Sequence, residues 1–366
     1  MNIFYDIDIF VIQKFGGISR YFIELANSIN DSPSNNTKVK IFDGFHRNNY
    51  LSKVDNNLNK SCIYVPDFKG AGFVLPLLNK VFFPIRTFSE IDIYHATYYS
   101  FPENLPKNIP KFITVYDMIH ELYPSNFLKR DKTAELKAKA LKEADHILAI
   151  SNNTKNDLIE IYDLDPNKIT VTYLGADHFK KITNLKKDKG NFLLYVGPRN
   201  GYKNFCNLLK AFKVLRSDYL LDVEIIAFGG GPFSKEEKYL ISSLGLENDC
   251  VKQVSGSDKM LKTLYSTASV FVYPSLYEGF GIPPLEAMAN GCPVAASKTS
   301  SLGEILGDSA ALFNPSEISD IAEKIKSILV SDDIGNEYVK KGFNLFNEYQ
   351  WQKCANITTK AYKKFI

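Results

Sequence analysis

The chain has 366 residues, enough for two domains of ordinary size, and its 45% apolar and 23% charged content is that of a soluble globular protein. A net charge of +3 gives no footing for nucleic acid, no run approaches the ~18 apolar residues of a membrane span, and the acidic start MNIFYDIDIF lacks the basic stretch of a signal peptide. Cys62, Cys206, Cys250, Cys292 and Cys354 are odd in number and scattered, and the five histidines do not cluster, so a cytoplasmic protein with neither a disulfide frame nor a metal site is expected.

Asn2 to Phe10 reads as a first strand. Gly16 and Gly17 then precede a helical face of Ile18, Tyr21, Phe22, Leu25 and Ile29. A glycine pair between strand and helix lets backbone approach a ligand closely, and a plain tight turn explains it as well. Arg20, one turn on, faces either that ligand or solvent. Residues 38–42 make a short strand. The segment 66–88 is apolar and aromatic, carries Lys69, Lys80 and Arg86, and has no acid between Asp67 and Glu90. The favoured reading is a core helix interrupted by Pro76 and Pro84. The other is a basic-apolar surface resting peripherally on a membrane, or gripping a lipid-linked acceptor.

Residues 92–102 form a strand containing His95. Phe112 to Tyr116 form the next, followed by Asp117 and His120. Ligands of open α/β sheets bind past the carboxyl ends of the strands, which places both residues toward a site. A lone histidine is more often a packed or surface group. Residues 133–150 read as a helix with Leu136, Ala140 and Leu141 inward, running into strand His146 to Ile150. Ser151 to Asn153 cap a helix over 154–162, and strand Ile169 to Leu174 closes the first half. The polar, Lys-rich stretch 178–191 is a linker. The domains expected are 1–180 and 181–347.

Strand 191–196 ends in VGPRNGYKN, and the helix after it shows Phe205, Leu208, Leu209, Phe212 and Leu215 on one face. Arg199 and Lys203 flank this turn. Together they can neutralise a diphosphate, or they are an ordinary surface pair. Strand 222–228 leads to GGGPF, so Gly229 and Gly230 form a loop at another carboxyl end. Strand 250–254 precedes a helix from Ser257. Ala268 to Tyr273 read as a buried strand, followed by a Gly/Pro loop and a helix that starts at Pro283 and Pro284 and is closed by Gly291. The N–H groups and dipole at such a helix start favour a phosphate. Glu278 at the loop entrance and Glu286 in the first turn accept hydrogen bonds from hydroxyls. Phosphate donors between two hydroxyl acceptors suggest a nucleotide sugar. The alternative is an ordinary α/β connection with two solvated glutamates. Beyond it come strand 293–296, a turn with Glu304, and helices near 316–330 and 333–348.

The stretch EGFGIPPLEAMANGCPV (278–294) resembles the signature of the large retaining family 4 of GT-B glycosyltransferases, which includes sucrose synthases and many bacterial mannosyltransferases. The resemblance covers nearly the whole chain and implies an α/β protein of two Rossmann-like domains facing across a cleft. It implies that Glu278 touches the transferred sugar or its phosphate and that Glu286 holds the ribose. The backbone of Phe280, Gly281 and Ile282, with Leu285 beside them, would meet the sugar and diphosphate. Gly16 and Gly17 would face the donor phosphates, Arg199 and Lys203 would hold the diphosphate, and Gly229, Gly230, Gln253 and Val254 would lie near the nucleotide. Relatives often place a histidine directly before the Asp117 position. Here it is Tyr116, with His120 able to serve instead. Residues from about 348 would cross back onto the first domain.

The implied reaction moves a sugar onto a saccharide or lipid-linked hydroxyl in surface polysaccharide or lipopolysaccharide synthesis. Configuration is retained, with neither metal nor cofactor, and the leaving phosphate takes the acceptor's proton. The VYDMIHELYP and GYKNF wording favours GDP-mannose over UDP-glucose or UDP-N-acetylglucosamine. Three readings compete: a sugar-nucleotide epimerase, a non-catalytic sugar-binding member, and an NAD-dependent dehydrogenase, whose G-x-G-x-x-G is missing.

Overall fold

Short apolar strands alternating with amphipathic helices assemble into two six-stranded parallel sheets wrapped by helices. The computed structural model describes residues 1–32, 36–54, 58, 62–82, 90–177, 190–246 and 250–366. They divide into a first unit, Met1–Glu121 with Leu128–Gly175 and Gln350–Ile366, and a second, Leu122–Phe127 with Ala176–Tyr349. Most of the expected linker, residues 178–189, lies outside the described residues, as do Pro84 and Arg86.

The first unit runs β1 (Asn2–Tyr5), α1 (Asp8–Ile12), α2 (Gly17–Asn30), β2 (Lys38–Ile41), β3 (Gly44–His46), β4 (Cys62–Tyr64), α3 (Ala71–Phe82) and β5 (Ile93–Ala96). It continues through β6 (Lys111–Val115), α4 (Ile119–Leu122), α5 (Thr133–Glu143), β7 (His146–Ala149), α6 (Asn152–Tyr162) and β8 (Ile169–Val171). Its main sheet has the order β2-β1-β5-β6-β7-β8, all parallel, with Tyr5 opposite His95 and Val115 opposite Ala149. Every residue of β5 and β7 is buried, as expected of strands covered on both faces.

One of the covers comes from the far end of the sequence, the helix Trp351–Tyr362 (numbered α14 below). Its Tyr362 ring meets Phe112 edge-on at 4.9 Å, and Trp351 lies 5.9 Å from Tyr21. Beneath it a chain of buried polar groups is closed: Tyr21 Oη to Thr114 Oγ1 (3.2 Å), Thr114 Oγ1 to His95 Nε2 (2.9 Å), and His95 Nδ1 to Tyr362 Oη (2.6 Å). Burial lowers the His95 pKa to about 3, so the ring stays neutral and acts as a strut.

Three expectations for this unit are corrected. The first strand stops at Tyr5 because buried Asp6 turns the chain into α1, accepting the N–H groups of Asp8 (3.0 Å) and Thr97 (3.0 Å). On α5 the inward residue is Lys137 and not Leu136, which is exposed. Lys137 Nζ sits 2.9 Å from Glu121 Oε2 and 2.8 Å from the Asp117 carbonyl, a charge pair that outweighs the apolar pattern. Finally, α3 runs unbroken through Pro76 and buries only Ala71 and Leu75, so it is not a core helix.

Asp6 also carries a pH dependence. Burial first, then the charge of Asp8, raises its pKa to about 8. A carboxyl held protonated in the fold contributes stability that is complete below its unfolded value of about 4 and lost as pH rises through about 8. Stability should therefore fall over that window and the Asp6→Asn chain should fall less. Urea midpoints at about pH 5, 7 and 9 check this.

The second unit runs β9 (Phe192–Val196), α7 (Phe205–Ser217), β10 (Glu224–Phe228), α8 (Lys235–Ser243), β11 (Val251–Val254), α9 (Asp258–Thr267) and β12 (Val270–Tyr273). Then follow α10 (Ile282–Ala289), β13 (Val294–Ser297), α11 (Ser300–Leu306), β14 (Ala311–Phe313), α12 (Ile318–Leu329) and α13 (Asp332–Glu348). The sheet order is β11-β10-β9-β12-β13-β14, again parallel. The α7 face read from the sequence is fully buried. It packs with Ile225, Val270 and Val272 of the strands and Ile321 and Ile325 of α12. Glu304 lies within a helix, α11, and not in a turn.

Candidate functional site

In the second sheet the chain lays β9, β10 and β11 toward one edge, then returns to place β12 on the other side of β9. The loops after β9 and β12 therefore part at a switch point past the strands' carboxyl ends, where sheets of this kind hold ligands. These loops carry Arg199, Lys203 and Glu278.

Asn204 ties them together. It adopts a left-handed conformation (φ 58°) that turns the chain into α7, and its Nδ2 donates to the carbonyls of Pro274 (3.0 Å) and Pro315 (2.8 Å). The Leu276 N–H donates to the Tyr202 carbonyl at 2.7 Å. So held, Lys203 Nζ reaches Glu278 Oε1 at 2.6 Å, with both side chains largely shielded. The Glu278 N–H donates to Ser300 Oγ (2.9 Å), and Ser301 Oγ donates to the carbonyls of Glu278 (2.7 Å) and Phe280 (3.1 Å). Burial, then the Glu278 carboxylate with which its hydroxyl bonds, pushes the Tyr273 phenol well above its ordinary pKa. An ammonium and a carboxylate fixed this rigidly can recognise a ligand carrying both phosphate and hydroxyl groups.

Gly281 caps α10 at φ 123°, and a Cβ there would sit 2.8 Å from Leu302 Cδ2, so only glycine fits. Pro283 and Pro284 carry no N–H, so the donors at this helix start come from the loop, from Gly281 and Ile282. Phe280 is buried with its ring edge-on to Tyr349 at 5.4 Å. Leu285 is fully buried and belongs to the core. Half-buried Glu286 accepts from Tyr265 Oη through Oε2 at 3.1 Å. Burial, then the Glu286 charge, raises the Tyr265 pKa.

The two cations expected to share one diphosphate hold different carboxylates. Arg199 Nε donates to Glu237 Oε1 (2.7 Å), Nη1 to the Gly229 carbonyl (2.9 Å), and Nη2 to those of Gly231 (2.9 Å) and Pro232 (3.2 Å). Its side chain is 3% exposed. The guanidinium clasps the glycine loop to the first turn of α8, where Glu237 also completes a capping box with Ser234. A Cβ on Gly230 (φ 68°) would lie 2.6 Å from Arg199 Nη1 and 2.8 Å from the Gly197 carbonyl. Gly229 and Val254 meet backbone to backbone at 2.9 Å, and Gln253 Nε2 donates to the Val254 carbonyl at 2.9 Å. Gly229, Gly230, Gln253 and Val254 thus form one cluster around Arg199.

In the first unit, Gly16 caps α2 with extended backbone, and Gln13 Oε1 already accepts one of the helix's leading N–H groups, that of Ser19, at 3.1 Å. Space beside Gly17 is open. Arg20 stacks on Tyr50, its Cζ 4.6 Å from the ring centre, and donates to that hydroxyl at 3.0 Å. Half-buried Asp117 accepts the Ile119 N–H at 3.0 Å and so starts α4, on which His120 points Nε2 toward Asp131 Oδ2 at 3.8 Å. Tyr116 is buried, edge-on to Tyr21 at 5.6 Å, and among the described residues its hydroxyl has no hydrogen-bond partner.

Sequence reading missed Asn204, Ser300, Ser301, Gln13 and the Lys137–Glu121 pair. Each acts through backbone groups or through partners distant in sequence. Among the described residues no group of three His, Cys, Asp or Glu side chains is placed to hold a metal ion, and no helix is long and apolar enough to cross a membrane.

Comparison with known proteins gives two family models in tandem: residues 15–178 match "Glycosyltransferase Family 4" and residues 176–344 match "Glycosyl transferases group 1". The O-antigen chain mannosyltransferase RfbU of Salmonella typhimurium is 32% identical over 236 residues, 64% of this chain and 63% of that protein, so the match spans about three fifths of its length. Among solved structures, sucrose-phosphate synthase from Thermosynechococcus elongatus superposes with a TM-score of 0.72 at 19% identity, over 100% of this chain and 98% of that one. Anabaena HepE, in complex with UDP and glucose, superposes with a TM-score of 0.69 at 17% identity, over 99% and 98%. Both share the fold of two Rossmann-like domains.

Proposed function

The chain belongs to glycosyltransferase family 4 and has the GT-B fold, and from that premise we propose that it moves a sugar from a nucleotide diphosphate sugar to a hydroxyl of a saccharide or lipid-linked acceptor, with retention. The observation that carries this reading is the Lys203–Glu278 pair, fixed at 2.6 Å at the switch point of the second sheet, with Glu286 beyond it on α10. Lys203 neutralises the charge that grows on the leaving diphosphate, the electrostatic effect expected to supply most of the rate. The N–H groups of Gly281 and Ile282 add to it. Glu278 orients the sugar and Glu286 accepts from the ribose hydroxyls. The anomeric carbon–oxygen bond to the diphosphate breaks as the acceptor oxygen bonds that carbon. The acceptor's proton passes to the departing phosphate, which leaves as a nucleoside diphosphate.

Mannose from GDP-mannose is the donor we favour, supported by the likeness to a mannosyltransferase, and a role in cell-surface polysaccharide synthesis by that relative's O-antigen activity. The likeness to a UDP-bound structure keeps UDP in the test. Melting the wild type and Glu286→Ala with GDP, UDP, ADP or NAD decides. A ligand confined to the folded state adds about 2.7 kcal/mol at a hundred times its Kd. One nucleoside diphosphate should raise the wild-type Tm and raise that of the variant much less. A rise with NAD alone, or with none, overturns the reading. Because Lys203 and not a metal carries the charge in this scheme, EDTA should leave the rate within about twofold.

A further inference from the structure

We propose that α3 is an interfacial helix that lays the first unit on an anionic bilayer. The helix is built inside out for a surface element. Its buried stripe is Ala71 and Leu75, with Asn79 below them. Asn79 is bolted to β3, its Oδ1 accepting the Phe45 N–H at 2.7 Å and its Nδ2 donating to the Phe45 carbonyl at 3.1 Å. The outward stripe at i, i+4, i+8 is Phe73, 89% exposed, with Leu77 and Val81, each 63% exposed, and Phe82 beside them at 63%. A surface helix normally turns its polar residues to water. Among the described residues the helix itself carries a single charge, Lys80, with Lys69 two residues before its start, and both are exposed.

The acid that precedes the helix in sequence, Asp67, is already matched: Arg47 Nη1 lies 2.7 Å from Oδ1 and Lys14 Nζ 4.0 Å from Oδ2. That salt bridge holds the Asp67 carboxyl below its ordinary pKa. An apolar face rimmed by exposed lysines is complementary to acyl chains beneath acidic headgroups. Two further exposed apolar side chains, Ile12 and Phe15, stand just before Gly16. Arg47 links the parts, donating to the carbonyls of Val11 (2.8 Å) and Ile12 (2.7 Å) as well as to Asp67. The neck of α3 is thereby fixed to the end of α1 that leads into the glycine pair, which would set that loop near the membrane surface.

The proposal does not depend on the transferase reading, because it is tested without turnover. The full chain is floated with phosphatidylglycerol/phosphatidylethanolamine vesicles and with phosphatidylcholine vesicles. Wild type should partition to the first at least about tenfold more strongly. Phe73→Ser/Leu77→Ser should lose that binding roughly tenfold with Tm unchanged, since both side chains are exposed. Lys69→Glu/Lys80→Glu should lose the preference for the acidic lipid. Wild type that fails to float, or a Phe73→Ser/Leu77→Ser chain that floats as wild type does, overturns it. So does light scattering that shows a dimer which this variant converts to monomer, because the face then belongs to a second copy of the chain.

Discussion

Replacing Lys203 by alanine is expected to lower kcat by about 10²–10³, with a smaller change in KM. The ammonium is worth most where charge develops, in a shielded site between Tyr202 and Tyr273, whose rings lie 5.0 and 5.7 Å from Nζ. Its removal also strands the Glu278 carboxylate, so a stability loss of about 1–3 kcal/mol should accompany the rate loss. The two effects come apart in a double variant. Adding Glu278→Gln to Lys203→Ala should restore much of the stability and none of the rate. Lys203→Arg should keep part of the rate, because the charge remains while its position changes. Steady-state kinetics beside denaturant unfolding read both quantities. A Lys203→Ala chain with normal kcat would remove the centre of the mechanism.

Arg199→Ala should behave in the opposite way, costing about 3–5 kcal/mol of second-unit stability, the usual consequence of stranding one member of a buried ion pair. Glu237 would lose its partner, and the carbonyls of Gly229, Gly231 and Pro232 would lose their donors. Arg199→Lys should recover only part, since an ammonium cannot reach these acceptors as a fork does. Unfolding of the full chain can show two steps, and the step to follow is the one reported by Tyr and Phe packing around α7 and α8. Nucleoside diphosphate binding by the folded fraction should be close to normal. If stability is untouched while kcat falls by about 10²–10³, Arg199 is a diphosphate ligand after all.

Most of the architecture was legible because it rests on local pattern. The buried faces of α2 and α7, the turn glycines and the strand–loop–helix around Glu278 follow from period and punctuation. The reading failed where a distant partner overrode the local pattern. Lys137 looks like a surface lysine until Glu121, sixteen residues away, supplies its charge. Asp6 looks like a polar gap in a strand until Thr97 folds onto it. The α3 segment has the hydrophobicity of a core helix, and composition does not say which way its apolar stripe faces. In the site, residue types were readable and pairings were not: Arg199 and Lys203 are near neighbours in sequence yet hold different carboxylates, Glu237 and Glu278.

The place of α14 has a consequence for synthesis. Tyr5, Tyr21, His95 and Phe112 wait for Trp351 and Tyr362 to seal them. All of Ala176–Tyr349 must be made first. At typical translation speeds that is roughly ten to forty seconds during which the earlier half of the nascent chain keeps an uncovered aromatic face. The second unit, continuous in sequence apart from Leu122–Phe127, has no such wait. The half begun first should therefore be the last to finish folding, and the one on which chaperones act.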